Sequence, residues 1–98
     1  MSVLGRYKQQ PGEKRKRGID YTPFLEDNEE ISTVVAAVTP TTATPFAVTT
    51  IVIDPDGKTF AYFAEGGEAD TDYTVEFTLT TSLGQRLEDE IEFEIEEV

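Results

Sequence analysis

From Tyr73 to Val98 apolar and polar residues largely alternate, with an interruption at Ser82-Leu83-Gly84-Gln85. Before the break, Tyr73, Val75, Phe77, Leu79 and Thr81 share one phase and Thr74, Glu76, Thr78 and Thr80 the other. After it, Leu87, Ile91, Phe93 and Ile95 fall on one side, with Glu88, Glu90, Glu92, Glu94 and Glu96 on the other. A period of two belongs to a strand, and an apolar face backed by a charged one belongs to a half-buried strand. A short glycine-containing break between two such strands makes a hairpin. A chain that ends this way needs a second layer to cover the apolar face.

Upstream residues supply that layer. Ile31–Thr39 is β-branched and apolar and is closed by Pro40, and Thr41–Pro45 reads as a loop. Phe46–Ile53 follows, with Phe46, Val48, Thr50 and Val52 in one phase and Ala47, Thr49, Ile51 and Ile53 in the other. Apolar residues in both phases predict a strand covered on both sides or contacted by a partner on its second face. Asp54-Pro55-Asp56-Gly57 is a turn, since proline presets the second position and glycine accepts positive φ. Lys58–Ala64 then returns as a strand, so Phe46–Ala64 is expected to be a hairpin. Five closely spaced strands with no helical period predict an all-β antiparallel sandwich.

Charge divides the chain. Residues 1–20 carry Arg6, Lys8, Lys14, Arg15, Lys16 and Arg17, six of the eight basic side chains, against Glu13 and Asp20. The remainder holds only Lys58 and Arg86 among its basic residues. The leading segment is poor in apolar side chains and contains Gly5, Pro11, Gly12 and Gly18. Too little surface is available there to offset ordering entropy, which predicts an extended basic N-terminal arm. Asp20–Leu25 is a short apolar cluster broken by Pro23, and Glu26–Glu30 is a polar connector. The expected division is an arm and anchor over residues 1–30 and a sandwich body over 31–98.

With no Cys and no His among the 98 residues, thiolate metal sites, disulfides, a cysteine nucleophile and the commonest general base are excluded. No apolar run approaches 18 residues, so no membrane partner is expected. The net charge of −12 opposes binding of the whole chain to nucleic acid.

The remaining candidate sites are carboxylates and the basic run. Asp54-Pro55-Asp56-Gly57 begins like a calcium loop, but Lys58 and Thr59 stand where an oxygen ligand and a glycine are required. Glu65, Glu68, Asp70 and Asp72 are potential acid–base groups with no accompanying nucleophile, so a solvated loop is expected rather than catalysis. The outward glutamates of the last strand form either a solvated face or a docking face for a basic surface, such as the arm of a neighbouring copy. Lys14, Arg15, Lys16 and Arg17 have the form of a nucleic-acid patch but lack interleaved aromatics, and the acidic body favours a protein partner. Tyr21, Phe24 and Leu25 are expected to dock the arm on a neighbouring protein. Tyr73 is expected to start an inward strand face, or to act as a corner tyrosine bonded back to the backbone at Asp70 or Thr71. No cofactor and no metal are expected.

Several motifs together resemble a known family. They are Tyr62-Phe63-Ala64-Glu65-Gly66-Gly67, then Asp72-Tyr73-Thr74-Val75, then Thr80-Thr81-Ser82-Leu83-Gly84-Gln85-Arg86. With the leading Lys8-Gln9-Gln10-Pro11-Gly12-Glu13, Asp20-Tyr21 and Phe24-Leu25, they resemble the small immunoglobulin-like virion proteins of tailed bacteriophages. Tyr62 or Phe63 stands where that pattern often has tryptophan, and Gln85 separates the turn glycine from Arg86. The resemblance implies a small immunoglobulin-like sandwich and a non-enzymatic structural role, as a fibre–tail adaptor or neck component that joins larger virion proteins. Head decoration is the alternative it leaves open, and a β-sandwich binding module unrelated to phage is a third. The implied partners are tail, neck, fibre, portal or capsid proteins, met by multiple copies on a symmetric ring in the virion.

Overall fold

The computed structural model describes residues 2–97; Val98, the expected end of the last strand, lies outside them. Seven strands form two sheets: β1 (Ser2–Gln9), β2 (Lys14–Asp20), β3 (Ile31–Thr39), β4 (Phe46–Ile53), β5 (Thr59–Gly66), β6 (Thr71–Thr81) and β7 (Arg86–Ile95). One sheet runs β1-β7-β6-β3 and the other β2-β5-β4. Both expected hairpins are present as antiparallel pairs, β4 with β5 and β6 with β7. The immunoglobulin-like sandwich is all-β as expected, with two strands more than the sequence pattern indicates.

Those two come from the segment expected as an arm. It is extended, but paired into the body. β1 lies parallel to β7 along the edge of one sheet, and β2 lies antiparallel to β5 along the edge of the other. The turn between them, where Glu13 N–H donates to the Gln10 carbonyl at 3.1 Å, carries the chain from sheet to sheet and closes that side of the sandwich.

The physical reason is the match between β1 and the glutamate row. The register sets Arg6 opposite Glu92 and Lys8 opposite Glu94, with ion pairs of 2.9 and 3.8 Å. Tyr7, in the other phase, faces inward with its ring 5.4 Å from that of Phe93. The basic surface expected to dock on the glutamates is therefore the chain's own first strand. Exposed ion pairs contribute at most about 1 kcal/mol each, so the backbone ladder and the burial around Tyr7 hold β1, and the charges select its register.

The core between the sheets is aromatic. Phe60 and Tyr62 from one sheet meet Phe77 from the other at centroid separations of 5.2 and 5.0 Å, and Phe46 lies 4.8 Å from Phe93. Tyr21, Ile31, Ala64, Tyr73, Val75, Leu79, Ile91 and Ile95 belong to the same buried cluster. β4 departs from strict alternation, because its register shifts between Thr49 and Val52 and Thr50 has φ of 53°. Phe46 and Val48 pack on the core before this bulge and Ile51 and Ile53 after it, while Val52 is left 55% exposed. A bulge turns the strand over. Apolar residues in both phases of β4 thus need no cover on a second face.

Candidate functional site

The expected docking residues divide between the surface and the interior. β2 alternates, so Lys14 and Lys16 lie on the outer face of their sheet, in line with Glu65 and Phe63 of β5. Lys14 reaches Glu65 at 3.8 Å and its ammonium stands 5.2 Å from the Phe63 ring centre. Arg15 bonds Glu13 at 3.2 Å and stays exposed. Arg17 turns inward. Its guanidinium carbon lies 3.8 Å from the Tyr7 ring centre, and Nη2 donates to Gln9 Oε1 at 3.3 Å. Gln9, itself buried, donates through Nε2 to the Ala64 carbonyl at 2.8 Å, tying β1 across the sandwich to β5. The run of four is therefore not a single patch: three side chains face water and one clamps the corner.

Tyr21 is a core residue, 1% exposed, with its ring stacked 6.1 Å from Phe60 and its hydroxyl donating to Asp89 at 2.8 Å. Burial, and then the neighbouring carboxylate, pushes its phenol pKa up. The expectation that it docks on a neighbouring protein gives way to this, since its surface is already covered by the chain itself. Phe24 is the opposite case. A 3-10 turn spans Thr22–Phe24, with Pro23 fixing its first residues and Phe24 N–H donating to the Tyr21 carbonyl at 2.8 Å. The turn is further held by Asp20, which accepts from the Thr22 hydroxyl and N–H at 2.6 and 2.9 Å; these bonds lower its carboxyl pKa. Phe24 packs one side against Tyr21, at 5.8 Å, and is 60% exposed. Leu25 beside it is half-buried against the core.

Sequence reasoning missed the network that fixes this end. Glu29 has no exposed surface. Its carboxylate accepts from the Thr81 hydroxyl at 2.5 Å, from Gln85 Nε2 at 2.9 Å and from Glu26 N–H at 3.2 Å. These bonds, Thr81 first, hold its pKa below the usual carboxylate value. Lys58 caps the same connector by donating to the carbonyls of Glu26 and Asp27, at 2.8 and 3.2 Å, and of Glu29. A glutamate inside a polar run gave no period to mark it as buried.

The other candidates are structural. Asp54–Gly57 is a hairpin turn closed by Gly57 N–H to the Asp54 carbonyl at 2.8 Å, with Gly57 at φ of 72°. Glu65 is paired with Lys14, and Glu68 accepts from Thr44 N–H at 3.4 Å. Tyr73 is a corner tyrosine, but its hydroxyl accepts from Glu68 N–H at 2.9 Å and meets the Thr42 hydroxyl at 2.7 Å, rather than returning to Asp70 or Thr71. No group of three or more acidic side chains among the described residues is disposed to hold a metal ion. An open groove of about 430 Å³ runs between Pro11–Lys14 on one side and Pro45, Ala47, Glu65 and Gly66 on the other.

What the described residues present is faces, edges and one rigid apolar turn. Comparison with protein families matches residues 9–94 to the family described as Podophage GP4 fiber-tail adaptor protein gp77. The chain belongs to that family. The gp77 match spans β2 to nearly the end of β7 and includes the Phe24 turn and the Glu29 network. A search of curated proteins returned no match. As a gp77 family member the chain is a non-enzymatic structural protein of the phage particle, associated with other tail and fibre components.

Proposed function

We propose that this protein joins a fibre component to the tail, with several copies arranged on a symmetric ring and each gripping a neighbouring virion protein through the Phe24 turn. Leu25 supports the anchor from behind, and Lys14 and Lys16 add a basic pair on the outer surface of the second sheet, with Arg15 exposed at its edge. Tyr21 and Arg17 serve the interface from inside, by holding the turn and the corner in shape. The observation that carries this reading is the exposure of Phe24, 60% on a turn fixed by Pro23 and three hydrogen bonds. An aromatic already ordered before binding loses little entropy on docking, as interface anchors require. Repetition around a ring raises the effective concentration of each modest contact.

Replacing Phe24 by Ala in the full chain tests it. The melting temperature should change little, because most of that ring is in water, while the variant is lost from purified particles. Normal incorporation of the variant rejects the anchor. Electron microscopy of particles carrying labelled protein should show density where the fibres meet the tail; label spread over the capsid rejects the adaptor reading.

A further inference from the structure

The two sheets have four edges, and three carry protection against pairing with another strand. β1 has Arg6, Lys8 and an irregular register between Val3 and Gly5. β2 carries Lys14, Arg15, Lys16 and Arg17. β4 is broken by the left-handed Thr50. Charges and bulges on edge strands are the common means of preventing adventitious strand addition.

β3 has neither over most of its length. Ile31–Thr39 contains no charged residue, and its only irregularity is at its first step, between Ile31 and Thr33. From Thr33 to Thr39 it is regular, pairs with β6 on one side and meets no strand of its own sheet on the other. Val35 on its outer face is 62% exposed, the largest exposure among the big apolar side chains of the described residues. We propose that β3 receives an added strand: an extended, lysine- or arginine-bearing segment of another virion protein, which continues the sheet. This rests on the adaptor reading and names a second contact for it.

The charge of the occupant follows from the face beside β3. Glu76 of β6 stands opposite Ala37 of β3 on one side and opposite Glu90 of β7 on the other, so two like charges sit in register. Glu88 is opposite Thr78, which is itself opposite Val35. Glu76, Glu88 and Glu90 make no ion pair among the described residues, unlike Glu92 and Glu94. Like charges directly opposite are destabilising until a cation approaches. A strand added to β3 lies two strand spacings, about 9.6 Å, from β6, a gap that Lys or Arg and Glu side chains close by reaching toward each other. A second copy is disfavoured by the repulsion between two chains of net charge −12.

The test uses the full chain, free and in assembled particles. Amide hydrogen exchange of Ile31–Thr39 should slow by about tenfold or more on assembly, since its outer amides gain partners. Unchanged exchange there in the assembled state overturns the proposal. Val35→Lys, which places a cation on the edge, should keep the melting temperature and be lost from particles, while Val35→Thr is retained. Wild-type levels of V35K in particles overturn the proposal. So does sedimentation of the free protein as a dimer that V35K dissociates, because the occupant is then a second copy. If the wild-type protein is absent from the fibre–tail junction, the adaptor reading fails first and this proposal with it.

Discussion

The hydroxyl of Tyr21 donates to Asp89 Oδ2 at 2.8 Å across 68 positions of sequence, joining the end of the basic segment to the last strand inside the sandwich. Asp89 lies in the inward phase of β7, between Leu87 and Ile91, where an unpaired carboxylate would be costly. Tyr21→Phe keeps the ring and leaves that carboxylate without its donor. Stability should fall by about 1–3 kcal/mol, read from urea unfolding. A variant as stable as wild type would show that the bond contributes nothing. Removing residues 1–25 should be far more severe, because it strips an edge from each sheet and uncovers Phe60 and Phe93; loss of cooperative unfolding is expected.

Tyr62 offers the contrasting case. Its side chain is buried to the same degree, but its hydroxyl has no hydrogen-bond partner, and burial raises the pKa of its phenol. Tyr62→Phe removes a desolvated group and keeps the ring against Phe77. It should leave stability unchanged or raise it by up to about 1–2 kcal/mol. The same urea titration decides, and a drop matching that of Tyr21→Phe would be the contrary result.

The difference between these tyrosines was not visible in the sequence, and neither was the fate of the segment around them. β3 and β4 start and stop where their β-branched runs and prolines indicate, because turn chemistry and period two are local properties. β1 and β2 are edge strands that need only one inward ring or stem at a time, so Tyr7, Arg17 and Ile19 produce no apolar alternation. The signal that was present is spacing: Arg6 and Lys8 are two apart, as are Glu92 and Glu94. Charge complementarity was legible, but the sequence did not say whether it acts between molecules or within one. Tyr21 and Phe24 belong to a cluster too short to have a phase, so burial of one and exposure of the other had to come from the fold. Asp89, the acid among inward-facing apolar positions, was the one break in β7 that could have pointed to its partner.

The Glu29 network predicts acid sensitivity of a definite sign. Its folded pKa is depressed below the value of 4.5 that it has when free, chiefly by the Thr81 hydroxyl. The group therefore stabilises the fold above about pH 4.5, and that contribution is lost as pH falls from there through the depressed folded value. All three partners donate to it, which a carboxylate accepts and an amide does not fully match. Glu29→Gln should lower the melting temperature at pH 7 and flatten its decline between pH 5 and 3. Parallel curves for the two proteins would remove Glu29 from the acid response.

Thr50 makes the last case, because the bulge that turns β4 over is formed by a residue ill suited to it. A left-handed conformation costs an ordinary L-residue about 1–2 kcal/mol, and β-branching makes it worse. Its side chain is exposed and is not part of the core, so no packing offsets that cost. Thr50→Gly relieves the strain but frees the unfolded chain, which takes back about 0.5–1 kcal/mol. The net expectation is a gain of up to about 1 kcal/mol, a rise of several degrees in melting temperature for a domain this size. Thr49→Gly, at the edge of the shift but not in the left-handed region, should instead destabilise. Equal losses at both positions would mean that the left-handed turn at Thr50 carries no strain.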